Sequence, residues 1–207
     1  MVTLHEVLQD LSAESESLDR LVSALDDKDW SRPTPAAGWT VAHQIAHLHW
    51  TDGVATLAAT DPAGFIQQMS AVEDPYTMVD RAAADHIAPP EELLRRWRDG
   101  REALIRALSE KPTGEKLPWF GTAMSPLSSA TGRMMETWAH GQDVAETFPE
   151  RADAREHRRP TDRLRHVANL GFRTIGHSFL SHGREAPQEP FRVELSTVDG
   201  ALWTFGP

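Results

Sequence analysis

Leu4, Val7, Leu8, Leu11, Leu18, Leu21, Val22 and Leu25 recur at three- and four-residue intervals, the spacing that gathers apolar side chains on one face of a helix. The pattern predicts a long amphipathic first helix ending near Asp26-Asp27-Lys28. Two prolines and a glycine in Ser31-Arg32-Pro33-Thr34-Pro35-Ala36-Ala37-Gly38 forbid its continuation. A second helix is expected from Trp39 to about Thr60, broken by Asp61-Pro62-Ala63-Gly64. Phe65 to His86 reads as less regular helix, interrupted by Pro75. Pro89-Pro90-Glu91-Glu92, with prolines and acids in a first turn, starts a helix running to about Glu110.

A loop containing Pro118, Trp119, Phe120 and Gly121 should follow, then a helix from Pro126 to Phe148. After an Arg-rich connection comes another helix, from Thr161 to His182. Phe191 to Leu195 and Ala201 to Phe205 alternate apolar with polar residues around Asp199-Gly200, which predicts a β-hairpin. Two strands make a poor independent domain. The expected organisation is therefore a helical bundle over residues 1–185 and a short hairpin over 186–207, the start of a truncated C-terminal domain. The predicted class is all-α, with extra helices beside a bundle.

Composition narrows the function. The formal charge is −10, with 31 acidic and 21 basic residues, which argues against a nucleic-acid partner. There is no cysteine, so disulfides, thiolate metal ligands and a cysteine nucleophile are excluded, and any thiol chemistry needs a thiol from outside. No leader-like N-terminus and no long apolar run occur, so the expectation is a soluble, cytoplasmic protein without a membrane partner.

Chemistry concentrates in two stretches. Gly38-Trp39-Thr40-Val41-Ala42-His43-Gln44-Ile45-Ala46-His47-Leu48 is one, and Glu136-x-x-x-His140 the other. At about 100° per residue, Ser129, Arg133, Glu136, His140 and Asp143 share one stripe of their helix. Leu127, Met134, Trp138 and Ala145 lie roughly opposite. A polar stripe is ordinarily a wet face, but charge density says otherwise here. From Pro118 to Ala145 only Arg133, Glu136 and Asp143 are charged, and Asp52 is alone between Trp39 and Thr60. The helix from Glu91 to Glu110 is crowded with charge by comparison. Enclosed ionisable groups need partners, and a shared divalent cation would serve them. Spacing alone leaves open whether the second helix supplies His43, His47 or both.

Gly38-Trp39-Thr40-Val41 leading to Ala46-His47-Leu48, preceded by Trp30 and Pro33-Thr34-Pro35, resembles the signature of the mycothiol-dependent maleylpyruvate isomerases, within the DinB-like superfamily of metal-binding helical bundles. Arg133-Met134-Met135-Glu136-Thr137-Trp138-Ala139-His140-Gly141-Gln142-Asp143-Val144 resembles that family's second motif. The resemblance implies an up-down four-helix bundle that binds zinc through His47, Glu136 and His140, with a mycothiol-like thiol as cosubstrate. It also implies Asp143 as a residue that positions substrate or thiol. Nickel, iron(II) and manganese suit the same ligands.

The implied activity is isomerisation or S-transfer on a small electrophilic substrate. A metal-dependent hydrolase and a non-catalytic, stress-response metal-binding bundle are the alternatives. Arg133, one turn before Glu136, is read as orienting that carboxylate, meeting an anionic substrate, or forming an ion pair. Trp50, Trp119, Phe120 and Met124 are candidate pocket residues of partly apolar character. The oligomeric state stays open, a homodimer among the options.

Overall fold

Thr3 opens the first helix through a reciprocal cap. Its backbone N–H donates to Glu6 Oε2 at 2.7 Å, and Glu6 N–H donates to Thr3 Oγ1 at 3.3 Å. The computed structural model describes residues 2–72, 74–120 and 122–207, without the side chains of Pro75 and Tyr76. Its elements in chain order are α1 (Leu4–Ser23), a 3-10 turn (Asp27–Ser31), α2 (Val41–Thr60), α3 (Pro62–Ser70), α4 (Pro75–Asp85) and α5 (Pro90–Ser109). They continue with β1 (Leu117–Trp119), β2 (Thr122–Met124), α6 (Pro126–Glu146), α7 (Ala152–His157), α8 (Leu164–Ser181), β3 (Val193–Ser196) and β4 (Leu202–Phe205).

The chain divides into two compact units, residues 1–158 and 159–207. In the first, α1, α2, α5 and α6 form a four-helix ring in which α6 and α5 each touch both α1 and α2. Their shared core includes Leu18, Leu21 and Val22 of α1, Ile45 and Leu48 of α2, and Leu93 and Trp97 of α5. Val144 of α6 and Phe148 just beyond it complete the layer. The heavily charged α5 keeps its charges outside while it buries Leu93, Leu94, Trp97, Leu104 and Leu108, as an amphipathic helix must.

Asp19 clamps α1 to α5. Arg98 Nε donates to its carboxylate at 2.8 Å and Arg98 Nη2 donates to its other oxygen, Ser23 Oγ donates at 2.8 Å, and Arg101 Nη2 forms an ion pair with it at 2.8 Å. Burial works against the Asp19 charge, but hydrogen bonds from Arg98 and Ser23 and the charges of Arg101 and Arg98 outweigh it and hold the carboxyl below its ordinary range. As pH falls below about 4, an unfolded Asp19 takes up a proton before the folded one does. The clamp therefore contributes stability above that pH and loses it as pH drops through the depressed native value. Urea titrations should show Asp19→Asn destabilised at neutral pH, with the gap to the parent closing toward pH ~3.

Three elements depart from expectation. Phe65 to His86 is not one interrupted helix but the end of α3 and all of α4, with Pro75 as first residue of α4. The expected loop around Pro118 is an antiparallel hairpin, pairing Leu117 with Met124 and Trp119 with Thr122; Gly121 lies outside the described residues. Strands of three residues are too short to display alternation. The Arg-rich connection after Phe148 contains the short α7.

In the second unit, β3 and β4 pair antiparallel, Val193 opposite Phe205 and Ser196 opposite Leu202. Gly200, at φ +88°, makes the turn. Phe172 of α8 packs its ring 5.2 Å from Phe191 and 6.1 Å from Phe205. This contact explains why the division falls at 158/159, whereas the sequence reading placed it at 185/186: α8 groups with the hairpin. Among the described residues, no helix is long and apolar enough to cross a membrane.

Candidate metal centre

The turn before α2 aims its first residues. Thr34 N–H donates to Trp39 O at 2.8 Å and Trp39 N–H to Ala36 O at 3.0 Å. Gly38 sits at φ +81°, a backbone conformation that a side chain would strain. This tight turn presents the Trp39 indole, whose Nε1 donates to Asp80 Oδ1 at 2.9 Å. Thr40 is the N-cap residue. Its backbone N–H donates to His43 Nδ1 at 3.3 Å, and its Oγ1 lies 2.8 Å from the same nitrogen. His43 is thereby engaged with the helix start, and the spacing ambiguity resolves toward His47.

α2 and α6 pack together, and the helical period brings His47 opposite Glu136 and His140. His47 Nε2 lies 3.1 Å from Glu136 Oε2, and His140 Nε2 lies 3.2 Å from the same oxygen. One ligand atom from each of the three residues lies within 4.8 Å of the others. Two imidazole nitrogens thus converge on one carboxylate oxygen. The donor set is borderline nitrogen plus hard oxygen, in a partly enclosed place, which suits a divalent transition metal. The residues fit the group that the resemblance implies.

Electrostatics prepare the set. Burial disfavours a charged Glu136, but hydrogen bonds with His140 and His47 and the nearby Arg133 charge hold its carboxyl well below the ordinary range. Burial pushes His47 down, toward the neutral imidazole that a metal requires, against the pull of Glu136.

Arg133 is 3% exposed, and its Nε donates to Asp52 Oδ1 at 2.9 Å. Of the alternatives weighed from sequence, this is the interhelix ion pair; the guanidinium is not presented to solvent for an anionic substrate. Burial pushes Asp52 up, and the Arg133 charge and hydrogen bond oppose that. Asp143, half-buried, takes a hydrogen bond from Gln44 Nε2 at 3.2 Å on its Oδ2.

Aromatic rings wall the cluster. Trp39 stacks on His140 at 5.7 Å with planes 12° apart, and Trp50 stands 5.9 Å from His47. Trp119 and Phe120 belong to a neighbouring group around Phe65, at 6.1 and 5.9 Å from its ring. Met124 lies against Gly132 of α6.

Two participants escaped the sequence reading. Trp39 was part of the quoted signature but had no role until its stacking was seen. Gln44 is fully buried, and its amide touches Thr34, Asp143 and His140. The signal for Gln44 was present: it is the one amide in the apolar run of α2, one turn before His47.

Residues 11–145 match the family model described as mycothiol maleylpyruvate isomerase N-terminal domain. Uncharacterized proteins from two strains of Mycobacterium tuberculosis are each 50% identical over 200 residues, covering 96% of this chain and 76% of the relative. Crystal structures of the mycothiol-dependent maleylpyruvate isomerase, and of a histidine-to-alanine mutant of it, superpose with TM-score 0.65. They cover 95% of this chain and 85% of theirs at 16% identity, which establishes a shared fold.

Proposed function

The chain belongs to the mycothiol maleylpyruvate isomerase N-terminal domain family, and from that premise we propose a metal-dependent enzyme that uses a low-molecular-weight, mycothiol-like thiol for isomerisation of, or S-transfer to, a small electrophilic substrate. The observation that carries the reading is the convergence of His47 Nε2 and His140 Nε2 on one oxygen of Glu136. Zinc is the first choice of metal, with nickel, iron(II) and manganese compatible. A cation held by these three residues would lower the pKa of a thiol or water beside it.

The chain's own residues supply the rest. Glu136 stays anionic because its imidazole partners and Arg133 offset the cost of burial. Arg133, tied to Asp52, acts from behind the carboxylate and not on substrate. Asp143, one turn past His140, is assigned to positioning the thiol or the substrate. Trp39 and Trp50 offer flat apolar surface that excludes water and receives the carbon skeleton of an electrophile. The chain has no cysteine, so the sulfur nucleophile comes from the cosubstrate. In the isomerase form the thiolate adds to an activated double bond, the new single bond rotates, and elimination returns the thiol. In the transferase form the thiol adds across the double bond, its sulfur to one carbon and a proton to the other, and the sulfur stays on the product as a thioether.

The test is a panel of electrophilic substrates offered to zinc-loaded protein with and without a small thiol. Turnover that requires the thiol is the expected result. Hydrolysis at equal rate without thiol would replace this reading by a hydrolase, and metal binding with no turnover in either arm would favour a non-catalytic metal-binding bundle.

A further inference from the structure

We propose that the substrate of this site is an uncharged electrophile with an aromatic or similarly flat apolar arm, and that the arm lies on a shelf formed by Trp50, Trp119 and Phe120. The reactive end of that substrate rests on the metal reading above; the shelf and its charge surroundings stand without it.

Trp50 joins the two places. Its ring stands 5.9 Å from that of His47, and together with Trp119 it packs on the small apolar cluster of Val54, Ala58 and Phe65. Phe65 stacks on Trp119 at 6.1 Å and meets Phe120 edge-on at 5.9 Å, while Trp119 and Phe120 lie 5.0 Å apart. The buried Phe65 thus supports rings that are not themselves buried. Trp50 and Trp119 are half-buried, and Phe120 is 41% exposed. Large rings left partly open beside a few convergent polar groups are the usual makeup of a small-molecule site. Aromatic side chains also suit the task because their two torsions leave little freedom to lose on binding.

Charge decides what kind of arm fits. Arg133 is the cation whose charge acts on both Glu136 and His47, and it is 3% exposed with its Nε bonded to Asp52. Arg81 of α4 donates to Thr77 of its own helix at 3.4 Å. The other charged groups around the cluster are carboxylates. Half-buried Asp143 accepts from Gln44, and exposed Asp80 accepts from Trp39 Nε1 at 2.9 Å. An anionic substrate would leave water for a place where these contacts offer it acidic neighbours and no cation, which is costly. An uncharged arm incurs no such cost and gains from burying its apolar surface on the three rings.

Three esters and acids test this, each with an activated double bond: methyl cinnamate, cinnamate and methyl crotonate. The second differs from the first in charge, the third in lacking the ring. Dissociation constants come from titrating the tryptophan indole N–H signals in nitrogen–proton NMR, on metal-free and on zinc-loaded protein, with no thiol present. Methyl cinnamate should bind about tenfold more tightly than either of the others in both forms of the protein, and should shift the signals of Trp50 and Trp119.

Phe120 is exposed, so it can be changed at little risk to folding, which circular dichroism checks. Phe120→Ser should weaken methyl cinnamate by about fivefold and leave methyl crotonate affinity and zinc content as in the parent. Phe120→Arg should move the preference from methyl cinnamate toward cinnamate. Cinnamate binding as tightly as its ester to the parent, in either form, overturns the proposal. So does a folded Phe120→Ser with parental affinity for methyl cinnamate, or a parent that binds none of the three. A parent that takes up no zinc but keeps the preference for methyl cinnamate would refute the metal reading and support the shelf.

Discussion

Exchanging Glu136 for alanine weakens zinc binding by about two orders of magnitude while the helices stay folded. Structural zinc sites with four ligands bind with about 10–16 kcal/mol, so one ligand is worth roughly 3 kcal/mol, which is about a hundredfold in Kd. Glu136 should lie at or above that figure, because its Oε2 is the point on which both imidazoles converge, at 3.1 and 3.2 Å. It is also the set's only negative charge. Glu136→Gln isolates the charge: it keeps the shape and one carbonyl oxygen, and should fall between parent and alanine variant. Chelator competition measures both. A Glu136→Ala protein that holds zinc as tightly as the parent would remove the carboxylate from the site.

The second large effect concerns stability. Arg133→Met leaves Asp52 as a buried carboxylate deprived of its charge partner, and breaking such a pair costs about 3–5 kcal/mol. Both side chains are 3% exposed, so water cannot take over. Burial already pushes Asp52 up against the pull of Arg133; removing the arginine raises it further. A group whose folded pKa lies above its unfolded value contributes fully at low pH and loses that contribution as pH rises. The penalty of Arg133→Met should therefore be larger at pH ~8 than at pH ~5, as read from urea midpoints. The double variant Arg133→Met with Asp52→Leu should recover most of the loss, since a well-packed apolar pair often replaces a buried ion pair without cost. A single variant as stable as the parent at both pH values would mean that the pair is dispensable.

The cluster was legible in the sequence because its logic is helical. Glu136 and His140 are four residues apart, so they share a face whatever the rest of the fold does. The scarcity of charge around them marked that face as enclosed; of its residues Ser129 and Arg133 are buried, while Glu136, His140 and Asp143 are half-buried. Asp52, the lone charge of the second helix, turned out to be the partner of Arg133. What pairs two helices in space has no such local mark. His43 and His47 are equivalent by spacing; what separates them is that the Thr40 cap engages His43 while His47 meets Glu136. Gln44 looked like one polar residue in an apolar run, since its three partners come from two distant parts of the chain, the loop before α2 and α6.

The same limit applies to the fold. Long periodic helices such as α1 and α5 could be read within a few residues. The three-residue strands β1 and β2 could not, because a strand that short is defined by its partner and not by its own pattern. The place of α8 was also hidden. A helix was expected there, but whether that helix belonged with the bundle or the hairpin depended on Phe172 meeting Phe191 and Phe205.

The most direct measurement is metal stoichiometry. Protein stripped with chelator is dialysed against a slight excess of zinc, washed and analysed by elemental mass spectrometry, beside a variant carrying His47→Ala, Glu136→Ala and His140→Ala together. One ion per chain in the parent and none in the folded triple variant is the predicted result. A parent that retains no more zinc than the triple variant would contradict a shared metal at the meeting of α2 and α6.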